Sequence, residues 1–292
     1  MNLSIHAHSQ YYGVIGDPIG HSLSPIIHHT LYQRYHINAL YLPFRIAKGG
    51  LAQLPVLMDM LPLCGFNVTM PHKQDIFSHL DVVDPTAQLH QSVNTVCIRE
   101  GRWIGYSTDA PGFSLSLAER GRRFAESAVV FLGAGGVAST LALQAMSDGA
   151  SSVTLVARNP EKAHALSRHI ERQTGRACQV MPWTEAALSD AARQADILIN
   201  TTPLGMEGCA ADFENLDFLR LLPQRALVCD LIYAPMQTTF LQAAAERGLE
   251  TANGLDMLIG QAFVAFQHFV GILPGPTDRA AIQSVLLEEG VL

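Results

Sequence analysis

The sequence predicts an α/β protein of two domains, and three features point there. Short β-type runs alternate with helix-compatible segments, an apolar strand runs straight into a glycine-rich turn and a helix, and 292 residues hold roughly two domains at about 150 residues each. Tyr11-Tyr12-Gly13-Val14-Ile15-Gly16 reads as the first strand, followed by a helix over about 25–35. Ser24 then Pro25 is a helix start, an N-cap hydroxyl with proline in the first turn. Residues 40–44 read as a strand, 51–60 as a helix and 64–69 as a strand, a rhythm that predicts a parallel sheet. After Asp109-Ala110-Pro111-Gly112 a helix to about Arg120 leads to the apolar strand 128–132. Strands recur at 153–157, 196–200 and 226–230, the pattern of a doubly wound domain. The tail, 255–292, carries two amphipathic helices broken at Leu273-Pro274-Gly275-Pro276 and is expected to pack back on the first domain. The expected division is 1–110 plus 254–292, and 111–253.

Composition narrows the function classes. Hydrophobic residues make up 48% and charged ones 15%, enough apolar surface to form packed cores. The net charge is −7 and no run of Lys or Arg could neutralise a line of phosphates, so nucleic acid is not an expected partner. Cys64, Cys97, Cys178, Cys209 and Cys229 are odd in number and never form C-x-x-C, which argues against a disulfide framework or thiolate zinc and fits a reducing cytoplasm. The start, Met1 to His8, has neither a basic nor an apolar signal region, and the longest apolar stretches, 128–138 and 262–266, fall short of the ~20 residues of a membrane helix. The twelve histidines show no metal-ligand spacing.

Several segments carry chemistry. Gly133-Ala134-Gly135-Gly136-Val137-Ala138 is a G-x-G-x-x-A between a strand and a helix, where the backbone can approach a pyrophosphate and the helix N-terminus supplies N–H donors; a plain strand-to-helix turn is the alternative. This marks 111–253 as a Rossmann-type dinucleotide domain. Arg158 ends the next strand, where an NAD enzyme usually places an acid for the ribose 2′-hydroxyl; a guanidinium suits a 2′-phosphate, so NADP is preferred. A solvated loop arginine, with Glu161 near by, is the alternative. Ser22-Leu23-Ser24-Pro25 can hold a small carboxylate with hydroxyls and helix N–H groups, or serve as an ordinary cap. Asn67 and Thr69 share a strand face and precede Lys73, a lysine placed in a first helical turn against the dipole, which needs a partner group. Ser92-Val93-Asn94-Thr95 and Gly105-Tyr106-Ser107-Thr108-Asp109 put polar groups at strand ends. Asn200-Thr201-Thr202-Pro203-Leu204-Gly205-Met206 and Tyr233-Ala234-Pro235-Met236-Gln237-Thr238 follow strands of the second domain and also read as loop punctuation.

In order, S-L-S-P, N-V-T-x-P-x-K, V-N-T, S-T-D, G-A-G-G-x-A, N-T-T-P-x-G-M, Y-x-P-x-x-T and, at Gly254 to Gln261, G-x-x-M-L-x-x-Q resemble the shikimate dehydrogenase family from about Tyr12 to Gly271. The resemblance implies NADPH-dependent reduction of 3-dehydroshikimate to shikimate in aromatic biosynthesis, by a monomer or homodimer acting on a small molecule. It implies Lys73 and Asp109 as the catalytic pair, Ser22, Ser24 and Tyr233 at the substrate carboxylate, and Asn67, Thr69, Asn94 and Gln261 around the ring hydroxyls. Gly133, Ala134, Gly135, Gly136, Val137, Ala138, Arg158 and Thr201 would hold the cofactor, with Met206, Gly254 and Met257 on its nicotinamide side. No metal is implied. The family usually has asparagine at Ser107 and Ala157, threonine at Asn159 and tryptophan at Phe269. An NAD-preferring quinate/shikimate dehydrogenase and a non-catalytic dinucleotide-binding regulator stay open as alternatives.

Overall fold

The computed structural model describes residues 6–291, so most of the N-terminal run read for a leader, Met1 to Ile5, lies outside the described residues. In order the elements are β1 (Gln10–Gly16), α1 (Ser24–Arg34), β2 (Ala39–Arg45), α2 (Leu54–Met60), β3 (Leu63–Val68), β4 (Val82–Val83), α3 (Pro85–His90), β5 (Thr95–Arg99), β6 (Arg102–Tyr106) and α4 (Asp109–Glu119). Then come β7 (Ala128–Leu132), α5 (Gly136–Ser147), β8 (Ser152–Ala157), α6 (Pro160–Thr174), β9 (Gln179–Pro182), α7 (Glu185–Gln194), β10 (Ile197–Asn200), β11 (Leu227–Asp230), α8 (Thr239–Ala245), β12 (Glu250–Ala252), α9 (Gly254–Val270) and α10 (Pro276–Glu288). The chain divides into two compact units, Met1–Gly112 with Ile259–Val291, and Phe113–Leu258.

The first unit holds a sheet in the order β2-β1-β3-β5-β6-β4. Its first half is parallel, but β5 runs antiparallel to both β3 and β6, so the sheet is mixed where the strand–helix rhythm predicted a parallel one. The cause is local: Glu100 and Gly101 both take positive φ, the two-residue turn whose twist suits an antiparallel hairpin. Residues 51–60, expected as one helix, are divided between a 3-10 turn (Gly50–Gln53) and α2, with Pro55 in its first turn. Ile15, Leu54, Phe66, Ile76, Val93 and Val96 form a buried core on one side of this sheet. At the tail, Arg34 Nε donates to Asp278 Oδ1 at 2.6 Å and Tyr35 Oη to Oδ2 at 2.8 Å, which fastens α10 to the end of α1.

The second unit is a parallel sheet ordered β12-β11-β10-β7-β8-β9, with the chain stepping outwards in both directions from β7. That is the doubly wound order, in which ligands meet the strands' carboxyl ends beside the switch point. The short edge strands β9 and β12 went unread in the sequence, being too brief to show a period, and β9 ends in proline. Leu132, Val156, Leu198, Val228 and Phe240 lie in the core beneath α7, α8 and the 3-10 turn Asp217–Leu221. Among the described residues no helix is long and apolar enough to cross a membrane, and no group of three His, Cys, Asp or Glu could hold a metal ion.

Candidate active site

The hairpin that makes the first sheet mixed also assembles the polar residues. Asn67 near the end of β3 pairs with Thr95 at the start of β5, and Thr95 pairs with Tyr106 at the end of β6. Asn67, Thr69, Asn94, Thr108 and Asp109 therefore come to one sheet edge, whereas an all-parallel order would have sent strand starts and ends to opposite edges. Lys73 lies in the turn before a 3-10 segment (Asp75–His79), not in the first turn of an α-helix as the sequence suggested, so no helix dipole opposes it. Its partner is Asp109: Lys73 Nζ donates to Oδ2 at 2.6 Å. Asp109 opens α4, where a carboxylate is favoured by the helix dipole.

Asn94 braces that pair. Its Nδ2 donates to Asp109 Oδ1 at 2.9 Å and to Thr108 Oγ1 at 2.9 Å, and its Oδ1 accepts from the Thr108 backbone N–H at 2.7 Å. The backbone on the other side is tied too, Val93 N–H donating to the Lys73 carbonyl at 2.9 Å. Asn67 is buried with both ends of its amide occupied: Nδ2 donates to the Asn94 carbonyl at 3.0 Å and to Thr95 Oγ1 at 2.9 Å, while Oδ1 accepts from Tyr41 Oη at 2.6 Å. Burial holds the Tyr41 phenol well above its usual range, so it remains a donor, and Ser24 is hydrogen-bonded to it in turn. Tyr41 escaped the sequence reading because a tyrosine in a strand reads as core.

Ser24 is not the N-cap. Leu23 occupies that position, Ser24 is the first residue of α1, and the Ser22 hydroxyl accepts from the Ser24 N–H at 3.3 Å. Leu23 itself supplies no side-chain cap. Ser22 and Ser24 stand after β1, whose carbonyl at Ile15 accepts from Thr69 N–H at 2.9 Å, so Thr69 is held beside the same strand end. Gln261 lies half-buried on α9, its backbone packed directly on Gly112.

The dinucleotide-type residues lie in the second unit. Gly133 has φ +113, and a Cβ there would come within 2.7 Å of Thr201 Oγ1, itself donating to the Leu132 carbonyl at 2.7 Å. Gly135 is the N-cap of α5 without a side-chain cap, and a Cβ at Gly135 or Gly136 would meet open space. Uncapped N–H groups facing open space fit a bound pyrophosphate. Val137 is exposed and Ala138 buried. Arg158 lies exposed beyond β8, at the wall of a cavity of about 640 Å3 shared with Trp183, Leu204 and Phe213. It has no ion-pair or hydrogen-bond partner among the described residues, so Glu161 does not neutralise it. Lys162, four residues further along the chain, is a second cation that the sequence reading passed over. It sits in the first turn of α6, capped by Asn159 through Lys162 N–H at 2.9 Å, where a lysine opposes the dipole unless an anion is present. Met206 and Tyr233 are exposed, Met257 is half-buried on α9, and Gly254 donates its N–H to the Ile232 carbonyl at 2.9 Å.

Residues 14–96 match the family model described as the shikimate dehydrogenase substrate binding domain, and 128–211 match that of the NADP oxidoreductase, coenzyme F420-dependent. A shikimate dehydrogenase (NADP(+)) of Desulforamulus reducens is 38% identical over 276 residues, 94% of each chain. This chain belongs to the shikimate dehydrogenase family. The Thermus thermophilus member, solved in complex with NADP(H) and shikimate, superimposes with TM-score 0.81 at 32% identity, covering 95% of this chain and 100% of that one. The Listeria monocytogenes member, solved with shikimate and NAD, gives TM-score 0.88 at 28% identity over 98% and 99%.

Two departures from the family pattern find local partners. Ser107 is buried with its hydroxyl 3.1 Å from His90 Nδ1. Phe269 lies over Gly65 and 4.8 Å from the Tyr12 ring, filling the place of a larger indole with core aromatic contact.

Proposed function

We propose that this chain is an NADP-dependent shikimate dehydrogenase, catalysing the reversible reduction of the 3-dehydroshikimate ketone to the shikimate alcohol in the cytoplasm. The 2.6 Å Lys73–Asp109 contact, braced by Asn94, carries the reading. Bound NADPH supplies the hydride. As charge develops on the ketone oxygen, the Lys73 ammonium donates a proton to it, and solvent restores that proton because the side chain keeps 30% of its surface exposed. Asp109 keeps the ammonium aimed. Ser22 and Ser24 with Tyr233 take the substrate carboxylate, and Thr69, Asn94 and Gln261 the ring hydroxyls. Asn67, hydrogen-bonded to Tyr41 and to the Asn94 carbonyl, holds Asn94 in place beside those hydroxyls. The Gly133–Ala138 turn, Thr201, Met206, Gly254 and Met257 hold the cofactor, and Arg158 with Lys162 reads its 2′-phosphate. The substrate-binding part is assigned to 1–110 with 254–292, and the dinucleotide-binding part to 111–253.

The test is absorbance at the nicotinamide band, crossing shikimate and quinate against NADP and NAD. Reduction of NADP with shikimate alone supports the reading. Preference for NAD or quinate moves the chain to the relatives with those substrates, and binding without turnover makes it a regulator.

A further inference from the structure

Asp230 ends β11 and is fully buried. Three donors converge on its carboxylate: Asn200 Nδ2 and the Ile232 N–H reach Oδ1, each at 3.1 Å, and the Thr238 hydroxyl reaches Oδ2 at 2.7 Å. Each donor belongs to a segment with another task. Asn200 Oδ1 accepts from the Thr202 N–H at 3.0 Å and hydroxyl at 2.7 Å, fixing the turn that carries Thr201 and Met206. Ile232 immediately precedes Tyr233. Thr238 caps α8, its hydroxyl accepting from the Leu241 N–H at 3.3 Å, and closes the Tyr233 loop at its far end. An ionised carboxylate accepts all three as charge-assisted hydrogen bonds, whereas a protonated carboxyl or an amide keeps only the two on Oδ1 as acceptor and turns the Thr238 contact round, so that the hydroxyl must rotate to accept.

We infer that Asp230 is a positioning residue for the reaction: while ionised it ties the Tyr233 loop to the Thr201 turn, holding substrate-side and cofactor-side contacts of this unit in one arrangement. The inference rests on the roles proposed above for Tyr233 and Thr201. Burial pushes the Asp230 carboxyl up to about 6 against the pull of its hydrogen bonds, and Asp212 is the charged side chain that adds to the rise. Cys229, its neighbour on β11, is held in the thiol form by burial and does not titrate over the same range. One pH unit below 6 about nine-tenths of Asp230 is protonated, so affinity that needs the ionised form falls about tenfold. The substrate's own carboxylate, with an ordinary pKa of about 4, stays ionised there.

The experiment compares full-length wild type with Asp230→Asn from pH 5 to 8, reading KM for shikimate, kcat and NADPH affinity by fluorescence. The variant-to-wild-type KM ratio is expected near tenfold, or about 1.4 kcal/mol, at pH 7.5 and to fall towards one at pH 5, with kcat changing far less. The ratio removes titrations common to both proteins, including that of the cofactor 2′-phosphate. A ratio that is constant with pH, as a purely structural lesion gives, or that stays at one, overturns the inference. Should Asp230→Asn fail to fold, the wild-type KM carries the test: about a tenfold rise from pH 7.5 to 5 supports it and a flat profile overturns it. If wild type does not turn over shikimate, the proposed activity fails, and the NADPH-affinity ratio, expected to follow the same pH course, still decides the role of Asp230.

Discussion

Replacing Lys73 by alanine tests the centre of the proposed chemistry. The side chain is 30% exposed, its one hydrogen bond is to Asp109, and its backbone carbonyl keeps the Val93 N–H whatever the side chain is. A partly exposed pair of this kind contributes about 1 kcal/mol or less, so Tm should fall by no more than about 2–4 °C. Asp109 loses its cation but keeps Asn94 Nδ2 at 2.9 Å, so the carboxylate stays in place. The substrate contacts proposed for Ser22, Ser24, Thr69 and Gln261 are left untouched, and KM should change by no more than about threefold. The proton donor, needed most in the transition state, is gone, and kcat should fall about 10²–10⁴-fold, roughly 3–5 kcal/mol of barrier. Lys73→Arg separates charge from acidity, because a guanidinium can pair with Asp109 but does not give up its proton, and it should be almost as slow as Lys73→Ala. The assay is nicotinamide absorbance under saturating shikimate and NADP, with a thermal melt as the folding control. Turnover of Lys73→Ala within about threefold of wild type, in a folded protein, would remove Lys73 from the chemistry.

Three further outcomes follow from the same geometry. Arg158→Ala should weaken NADP(H) by roughly tenfold or more and NAD(H) hardly at all, since the guanidinium has no other partner among the described residues; equal losses in binding titrations would show that it does not read the 2′-phosphate. Gly133→Ala should cost about 1–3 kcal/mol in urea unfolding because of its positive φ and the Thr201 contact, whereas Gly135→Ala, facing open space, should keep the stability and lose NADPH affinity; a stable, tightly binding Gly133→Ala would contradict the turn geometry. His28 is buried, stacked 4.2 Å from Tyr41 with both ring nitrogens unpartnered among the described residues, and burial pulls its pKa from 6.5 to about 3. The unfolded chain takes up the proton first as pH falls below 6.5, so wild type should lose stability progressively down to pH 3, by roughly 5 kcal/mol from this group at the limit. His28→Phe should abolish that part of the loss, and a wild-type-minus-variant difference that does not change with pH would refute it.

How much of this was legible in the sequence depends on how local the signal is. The second unit announced itself, because an apolar strand, a glycine turn and a helix are consecutive residues, and β7, α5, β8, β10 and β11 stand within a residue or so of their expected positions. The polar residues of the first unit were legible as residues but not as a site. Asn94 immediately precedes a strand while Asn67 nears the end of another and Asp109 follows a third, and only the reversal at Glu100-Gly101, a signal present in the sequence and left unread, brings them to one edge. Tyr41 and Asp230 were invisible for a different reason. Each sits in an apolar strand where its burial looks like packing, and its meaning lies in hydrogen bonds to residues far along the chain, Tyr41 to Asn67 and Asp230 to Asn200. Ser107 shows the converse: read against the family pattern it is a change close to Asp109, yet its hydroxyl meets His90, a residue no motif includes. A departure inside a motif is therefore weighed by the partner it finds in the fold. The intact Lys73–Asn94–Asp109 arrangement beside Ser107 argues for a working enzyme over a regulator that kept only the scaffold.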